Sequence, residues 1–507
     1  MSQPIQKQDD ALGDFSEEKF RAALYQAADW AIKYRSRISQ RGISGPVKPG
    51  DVVASLATNI PKHAVPMENI LADFDRLILP NLVHWGHPSF LGYFGSTTTA
   101  PGIVGELIAA TLNVSAMTWA TSPAATELEE LVLRWLRDLL HLPEEFFGVV
   151  YDTASVATLH ALAAARESLH FHIRALGLSG REDLPRLRIY TSDQAHSSIV
   201  KAAIVLGIGE VNVRRVASDE LFRMELNSLR LAVQHDRSAG YLPLAVIATV
   251  GTTSAAAVDP VVDIAAFCAA EKIWLHVDAA YGGAMALLPE GRHFMEGVAT
   301  ADSVVINPHK WLFVPLDFST LYTKHPDLLR EVFSLVPEYL RGDAEQGEVN
   351  YMDYGIQLGR RFRALKAWMV FNAFGEAGLV ARIRENLRLA KLFASWIERD
   401  SDFELLAPVN MGVVCFRAVC KEGVDGFSIQ DCNDLNKGIV KGVNATGRAY
   451  ITHTVLGETV AMRIAVGNVL TTEEHMEAVF ELIKQTLSKE QERMNPFQPA
   501  TATFSHG

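Results

Sequence analysis

Cysteine is scarce: four occur in 507 residues, Cys268, Cys415, Cys420 and Cys432, and none forms a C-x-x-C pair. Disulfide scaffolds and zinc ribbons need paired thiols at short fixed spacings, so neither reading stands and no metal is expected. The thiols read as reduced and mostly buried, as in a cytoplasmic chain. No apolar run approaches the roughly 20 residues that cross a bilayer. The stretch Met1 to Phe15 lacks the apolar core of a secretory signal. Positive charge is also short, with 47 Lys and Arg against 59 Asp and Glu, a net charge of −12. Nucleic acid and anionic membranes call for a basic surface, so neither is an expected partner. A nicotinamide dehydrogenase fails on a missing residue, because Gly207-Ile208-Gly209 is followed by no third glycine of the dinucleotide fingerprint. Internal repeats and low-complexity tracts are absent as well.

What is present is an ordinary globular composition, 49% hydrophobic and 21% charged. A chain of this length exceeds one compact core, so two or three domains are expected. Residues 16 to 37 read as an amphipathic helix. Ser16 suits the N-cap, Glu17 and Glu18 suit the positive end of the dipole, and Phe20, Leu24, Ala27 and Ala31 recur every three or four residues. That stripe has no partner nearby, and a second subunit is one place to bury it. Gly45 to Gly50, with Pro46 and Pro49, reads as a linker. Residues 124 to 140 look helical. Short apolar runs follow at 187–191, 244–250, 273–277 and 302–306, several separated by helix-length segments. Such alternation predicts a mainly parallel α/β sheet with ligands beyond the carboxyl ends of its strands. Near residue 375 the character changes: 377–398 reads as a helix, and short strands and helices mix after it. The expected division is a helical N-terminal segment (1–99), a large domain (100–376), a small C-terminal domain (377–494) and a tail (495–507).

Three of the expected strands end in chemistry. One runs into Asp278, followed by Ala279, Ala280, Tyr281 and two glycines. Another runs into Asn307-Pro308-His309-Lys310, and a third leads to His196. An acid, an amine and an imidazole therefore converge on one crevice. Pyridoxal phosphate requires such a set. A lysine amine condenses with its aldehyde, and a carboxylate keeps its pyridinium nitrogen protonated so that the ring draws electrons. Small residues such as Ala280 let a flat ring lie against the backbone, and His196 is the candidate for its other face. A phosphate needs amides, hydroxyls or a helix N-terminus. Thr153-Ala154-Ser155, ahead of a helical run from Ala157 to Glu167, and Thr253 in a Gly-Thr-Thr-Ser stretch offer these. Singly each feature is commonplace: a surface lysine, a turn-forming aspartate, a structural histidine. Their joint order is not. Asp278 and Lys310 lie 32 residues apart, room for one crossover between neighbouring strands.

The strings HVDAAYGG (276–283), NPHKW (307–311) and SDQAHSS (192–198) resemble those of the group II pyridoxal-phosphate decarboxylases, most of all the aromatic-L-amino-acid decarboxylase branch. HWGHPSFLGYF (84–94), SPAATELE (122–129), LGRRFRALK (358–366) and MRIAVGN (462–468) extend the likeness in the same order. It implies fold type I: a large α/β domain, a smaller one after it, and an N-terminal segment packed across a homodimer whose site lies at the subunit interface. It implies Lys310 as the lysine that carries the cofactor, Asp278 at the ring nitrogen and His196 on the ring. Thr153, Ala154, Ser155 and Thr253 would hold the cofactor, mostly at its phosphate, with Asn307 and His309 close to phosphate and substrate. It further implies that Tyr339, in the stretch VPEYL (336–340), reprotonates Cα from a mobile loop.

A tyrosine at that place favours amine formation, whereas phenylalanine there accompanies aldehyde synthases. The substrate wall is read from Trp85, Ser89, Tyr93, Met117 and Trp119, mostly aromatic or apolar groups that suit a flat ring, with His309 also at the substrate. Gly359 leaves room for a bicyclic ring and leans the reading towards tryptophan, with phenylalanine and tyrosine as further substrates. The expected activity is decarboxylation of an aromatic L-amino acid to its amine. The alternatives are an aromatic aldehyde synthase, a decarboxylase of a non-aromatic amino acid, and a homologue that has lost catalysis and serves as an interaction protein. Lys310, Asp278, His196 and Tyr339 all being present, nothing in the sequence supports the last.

Overall fold

The computed structural model describes residues 14–45, 47–57, 59–95, 97–335, 347–419 and 428–494. Seven short runs rich in aliphatic and β-branched side chains form the central sheet: β1 (Phe147–Tyr151), β2 (Arg186–Ser192), β3 (Val213–Val216), β4 (Tyr241–Thr249), β5 (Trp274–Asp278), β6 (Ser303–Ile306) and β7 (Ser319–Thr323). Their order is β1-β7-β6-β5-β4-β2-β3. The four runs read from the sequence fall on β2, β4, β5 and β6. These strands are parallel to their sheet neighbours among themselves, and β7 runs against them. Because β1 and β6 are both antiparallel to β7, β1 points the same way as β6. The carboxyl ends of β1, β2, β4, β5 and β6 therefore share one edge of the sheet. Helices cover the faces, and every residue of β5 and β6 is buried, as a double-sided parallel sheet requires.

A second sheet has four antiparallel strands: β8 (Phe403–Leu405), β9 (Val413–Ala418), β10 (Thr452–Leu456) and β11 (Thr459–Ala465), in the order β10-β11-β9-β8. The helices Ile429–Ala445 and Glu473–Met494 pack with it around a separate core that includes Phe393, Phe416, Ile439, Ile464 and Ile483. The two cores are joined by a long helix, Ala364–Arg399, interrupted at Gly375 with φ 61° and ψ 173°. A left-handed φ suits glycine, so the helix breaks there. The helix expected over 377–398 is its second half.

The N-terminal helix Glu17–Ser36 starts where the sequence places it, with the Ser16 side chain accepting the Lys19 N–H at 3.4 Å. None of its residues is buried in the single chain, and Phe20, Tyr25 and Ile32 are exposed. Residues 86–91 and 97, well separated from the second sheet in sequence, are fastened to it. Asn468 Nδ2 donates to the carbonyls of Gly86 and His87 (3.0 and 3.1 Å), and Thr471 Oγ1 to that of Pro88 (2.7 Å). The backbones of Ser89 and Leu91 bond Tyr450 and Ala465, and Thr97 Oγ1 bonds the Gly467 carbonyl. Among the described residues no helix is long and apolar enough to cross a membrane.

Candidate active site

The shared strand edge gathers the polar residues. Asp278 ends β5, is 7% exposed, and accepts the Ala280 N–H on Oδ1 at 3.0 Å. Beyond β6, Asn307 leads into the one-turn helix Pro308–Trp311. Its Oδ1 accepts from Ser319 Oγ at 2.6 Å, and its carbonyl accepts the Lys310 N–H at 2.9 Å. After β2, His196 Nδ1 accepts the Ser198 N–H at 3.1 Å, so the neutral ring carries its proton on Nε2. After β4, Gly251 has φ +90°, and a Cβ there would sit 3.0 Å from the Gly282 nitrogen. Only glycine lets this turn approach the one after β5. Thr253 stands exposed in that turn. After β1, Thr153 takes the N-cap of the helix Ala154–Glu167, and its N–H bonds Asp152 Oδ1 at 2.6 Å. The helix thus begins at Ala154, three residues before the run seen in the sequence, and Ala154 and Ser155 supply first-turn amides that have no acceptor within the helix.

These groups sense one another. Burial lowers the Lys310 pKa below the ordinary lysine value, the Asp278 charge opposes that shift, and Arg463 adds to it. His196 is exposed at one side, and the protein packed against it lowers its pKa, with Asp278 opposing and Lys310 assisting. His309 is brought down to about 4, by burial first and by Lys310 second, and its Nδ1 accepts the Phe318 N–H at 3.0 Å. A neutral imidazole therefore stands beside the lysine at neutral pH. Under the edge, His276 bonds Ser303 Oγ at 2.9 Å, and burial lowers it to about 4.

Four residues with no assigned role pack beside the lysine. Phe94 stacks on Tyr281 (centroids 3.9 Å apart), which stacks on Trp311 (4.8 Å). Lys310 Nζ lies 5.0 Å and the Arg463 Cζ 4.7 Å from the Phe94 centroid. Arg463, 4% exposed, donates from Nε to the Ser254 carbonyl (3.0 Å) and from Nη1 to the Tyr93 carbonyl (2.7 Å). Each lies inside a motif quoted above, yet only the folded chain brings β11 against the loop after β4.

The residues read as one substrate wall divide into two neighbourhoods. Trp85 and Tyr93 are half exposed and stack at 5.4 Å, beside Phe90 and Tyr450, and the Tyr93 carbonyl ties them to Arg463 and so to the lysine. Ser89 is buried among them, its carbonyl paired with Tyr450. Met117 and Gly359 sit elsewhere, by the end of β1. The Met117 carbonyl accepts from Met352 (3.1 Å), and Ala116 N–H bonds the Arg360 carbonyl (2.8 Å). A Cβ on Gly359 would meet nothing within 4 Å. A buried ion pair fixes this second neighbourhood: Arg360 Nη2 contacts Glu129 Oε1 at 2.6 Å and also donates to the Val150 carbonyl. Tyr339 lies outside the described residues.

A buried amine, a carboxylate at a strand end, an exposed imidazole and a helix N-terminus form the donor set of an enzyme that binds a phosphorylated aldehyde cofactor covalently. The fit to pyridoxal phosphate is close: an amine for the aldehyde carbon, a carboxylate for the ring nitrogen, and amides and hydroxyls for the phosphate. The chain belongs to the pyridoxal-dependent decarboxylase family, whose conserved domain matches residues 49–419. It is 37% identical to tryptophan decarboxylase 1 of Oryza sativa subsp. japonica, over 92% of this chain and 94% of that protein. It is 36% identical to phenylacetaldehyde synthase of Arabidopsis thaliana, over 94% of this chain and 97% of that one. The crystal structure of Oryza sativa TDC with PLP and tryptamine superposes with a TM-score of 0.90 at 36% identity, covering 94% of this chain and 99% of that one. The protein is thus a fold type I, pyridoxal-phosphate-dependent amino acid decarboxylase.

Proposed function

We propose that the protein decarboxylates aromatic L-amino acids to the corresponding amines, with tryptophan the first substrate to try. The observation that carries the aromatic reading is the half-exposed, stacked pair Trp85 and Tyr93 near the lysine, which offers stacking surface to a planar side chain. Lys310 is the residue that bonds the cofactor aldehyde, and its lowered pKa keeps more of it as the nucleophilic free amine. Asp278 holds the ring nitrogen protonated. His196 covers the ring, and Thr153, Ala154, Ser155 and Thr253 hold the phosphate. Asn307 and His309 flank that pocket, and neutral His309 adds no charge that would draw the substrate carboxylate out of line. When bound, pyridoxal phosphate supplies the sink for the electron pair left on Cα as carbon dioxide departs. Tyr339 then delivers a proton to Cα.

A homodimer completes the site in this reading. The unburied apolar face of Glu17–Ser36, together with exposed Val104, Leu107 and Leu112 on the helix Ala100–Leu112, suits a second copy of the chain. Met117 and Gly359, remote from the Tyr93 wall within one chain, then serve the partner's pocket. The unpaired, buried Cys268, Cys415 and Cys432 suit a reducing cytoplasm.

The second reading, an aldehyde synthase, is favoured by the likeness to phenylacetaldehyde synthase. One assay separates the two. Protein loaded with cofactor is incubated with tryptophan, phenylalanine, tyrosine, dihydroxyphenylalanine and glutamate, with and without oxygen. Carbon dioxide and amine in equal amounts under both conditions support the decarboxylase. Aldehyde, ammonia and peroxide in air alone support the synthase. Turnover of glutamate alone removes the aromatic reading.

A further inference from the structure

Tyr93 is held in a costly conformation. Its φ is +55°, in the left-handed region that an aromatic L-residue seldom occupies. It is 50% exposed, so burial does not hold it there. Two residues of the small domain do. Arg463 grips its carbonyl at 2.7 Å. Tyr450 lies behind its ring, with centroids 6.2 Å apart, and lies flat against Phe90 at 5.0 Å and 13°. Gly92 permits this approach, since a Cβ there would stand 2.7 Å from Tyr450 Cδ1. The neighbouring Tyr93 phenol first, and burial second, push the Tyr450 pKa up to about 12. The Tyr450 backbone meanwhile pairs with Ser89 and Leu91 on either side of Phe90.

We propose that Tyr450 is a specificity-determining positioning residue: it backs the buried Phe90 and the exposed Tyr93 and so sets where the Tyr93 ring meets the substrate's aromatic ring. The inference rests on the wall being substrate-facing, as proposed above. Tyr450 acts through Tyr93 and Phe90, so its loss should weaken the grip on the ring and leave the bond-breaking step alone.

The test is a double-mutant cycle on cofactor-loaded enzyme, with steady-state kinetics on tryptophan and calorimetric binding of tryptamine. Tyr450→Ala should raise KM and weaken tryptamine binding together by about 3- to 10-fold, the size of an aromatic contact, with kcat within about twofold and cofactor affinity unchanged. Tyr450→Phe, which keeps the stack, should recover most of the loss. In a Tyr93→Ala background, Tyr450→Ala should add little. If alanine does not fold, Tyr450→Leu keeps apolar bulk on Phe90 and carries the same expectation. Tyr93→Ala raising KM while neither Tyr450 variant does so overturns this inference alone. So do fully additive effects, or loss of cofactor affinity in the Tyr450 variants. A Tyr93→Ala enzyme with native KM for every aromatic substrate overturns the substrate wall itself, and the inference with it.

Discussion

At the scale of single residues, position in the sheet does most of the chemistry. Asp278 and Lys310 end or follow neighbouring parallel strands, and that adjacency lets the carboxylate act on the amine's pKa. Asp278→Ala removes the only carboxylate among the described residues that influences Lys310. Activity should fall about 10²-fold or more, as when one preorganised electrostatic partner is removed, while the far-ultraviolet circular dichroism stays native. A variant within threefold of native activity would show that the ring nitrogen has another partner. Both residues were legible in the sequence, since a short apolar run fixes a strand and the strand's end fixes the site. Arg463 was not. It comes to Lys310 from a strand 153 residues further on, and no local pattern encodes that approach.

At the scale of elements, two long periodic segments were read almost to the residue, whereas the 22-residue helix Glu473–Met494 was not singled out. The helices read at 16–37 and 124–140 are Glu17–Ser36 and Pro123–Leu139, each within a residue at either end. β1, β3 and β7 escaped notice. Each is five residues or fewer, a length at which a period seldom separates strand from buried helix, although β5 and β6 are no longer. The buried Glu129 was hidden for another reason: on its helix it looks like one more polar residue. Its partner Arg360 is 6% exposed and donates to two backbone carbonyls besides the carboxylate. Glu129→Ala would strand that guanidinium, and breaking one side of a buried pair costs about 3–5 kcal/mol. A drop of that order in urea-denaturation stability is expected, whereas Glu127→Ala, on the exposed turn beside it, should cost less than about 1 kcal/mol. Equal losses from the two would assign Glu129 no special part in the fold.

For the whole molecule, two solution properties follow. His87, His160, His276 and His309 are all buried, and burial brings each from 6.5 to about 4. In the unfolded chain they take up protons near 6.5, and in the folded protein only near 4. Between those values the unfolded state binds more protons, so stability falls as pH drops from about 6.5 towards 4. The calorimetric Tm should be lower at pH 5 than at pH 7.5. An equal or higher Tm at pH 5 would mean that these rings are charged in place. The second property is assembly. Ile32 is 66% exposed on the N-terminal helix, and if the proposed dimer forms there, Ile32→Glu should shift sedimentation from dimer towards monomer, with activity falling in proportion. A native protein that is monomeric and fully active would remove the shared site. Residues 86–91 and 97 precede the central sheet in the chain yet bond to residues of and beside the second sheet, a tie invisible in the sequence because hydrogen bonding between distant backbones leaves no mark on composition.

That attachment also sets an order of events during synthesis. The large sheet has all its strands once Thr323 has emerged, but residues 86–91 and 97 must wait for Tyr450 to Thr471, more than 350 residues behind them. At about 5–20 residues per second that wait lasts roughly 20–70 s. The nascent chain therefore has its strand-end carboxylate and amine in place well before the surface proposed to choose among amino acids. In that reading, a single chain builds its chemistry first and its own share of side-chain recognition afterwards.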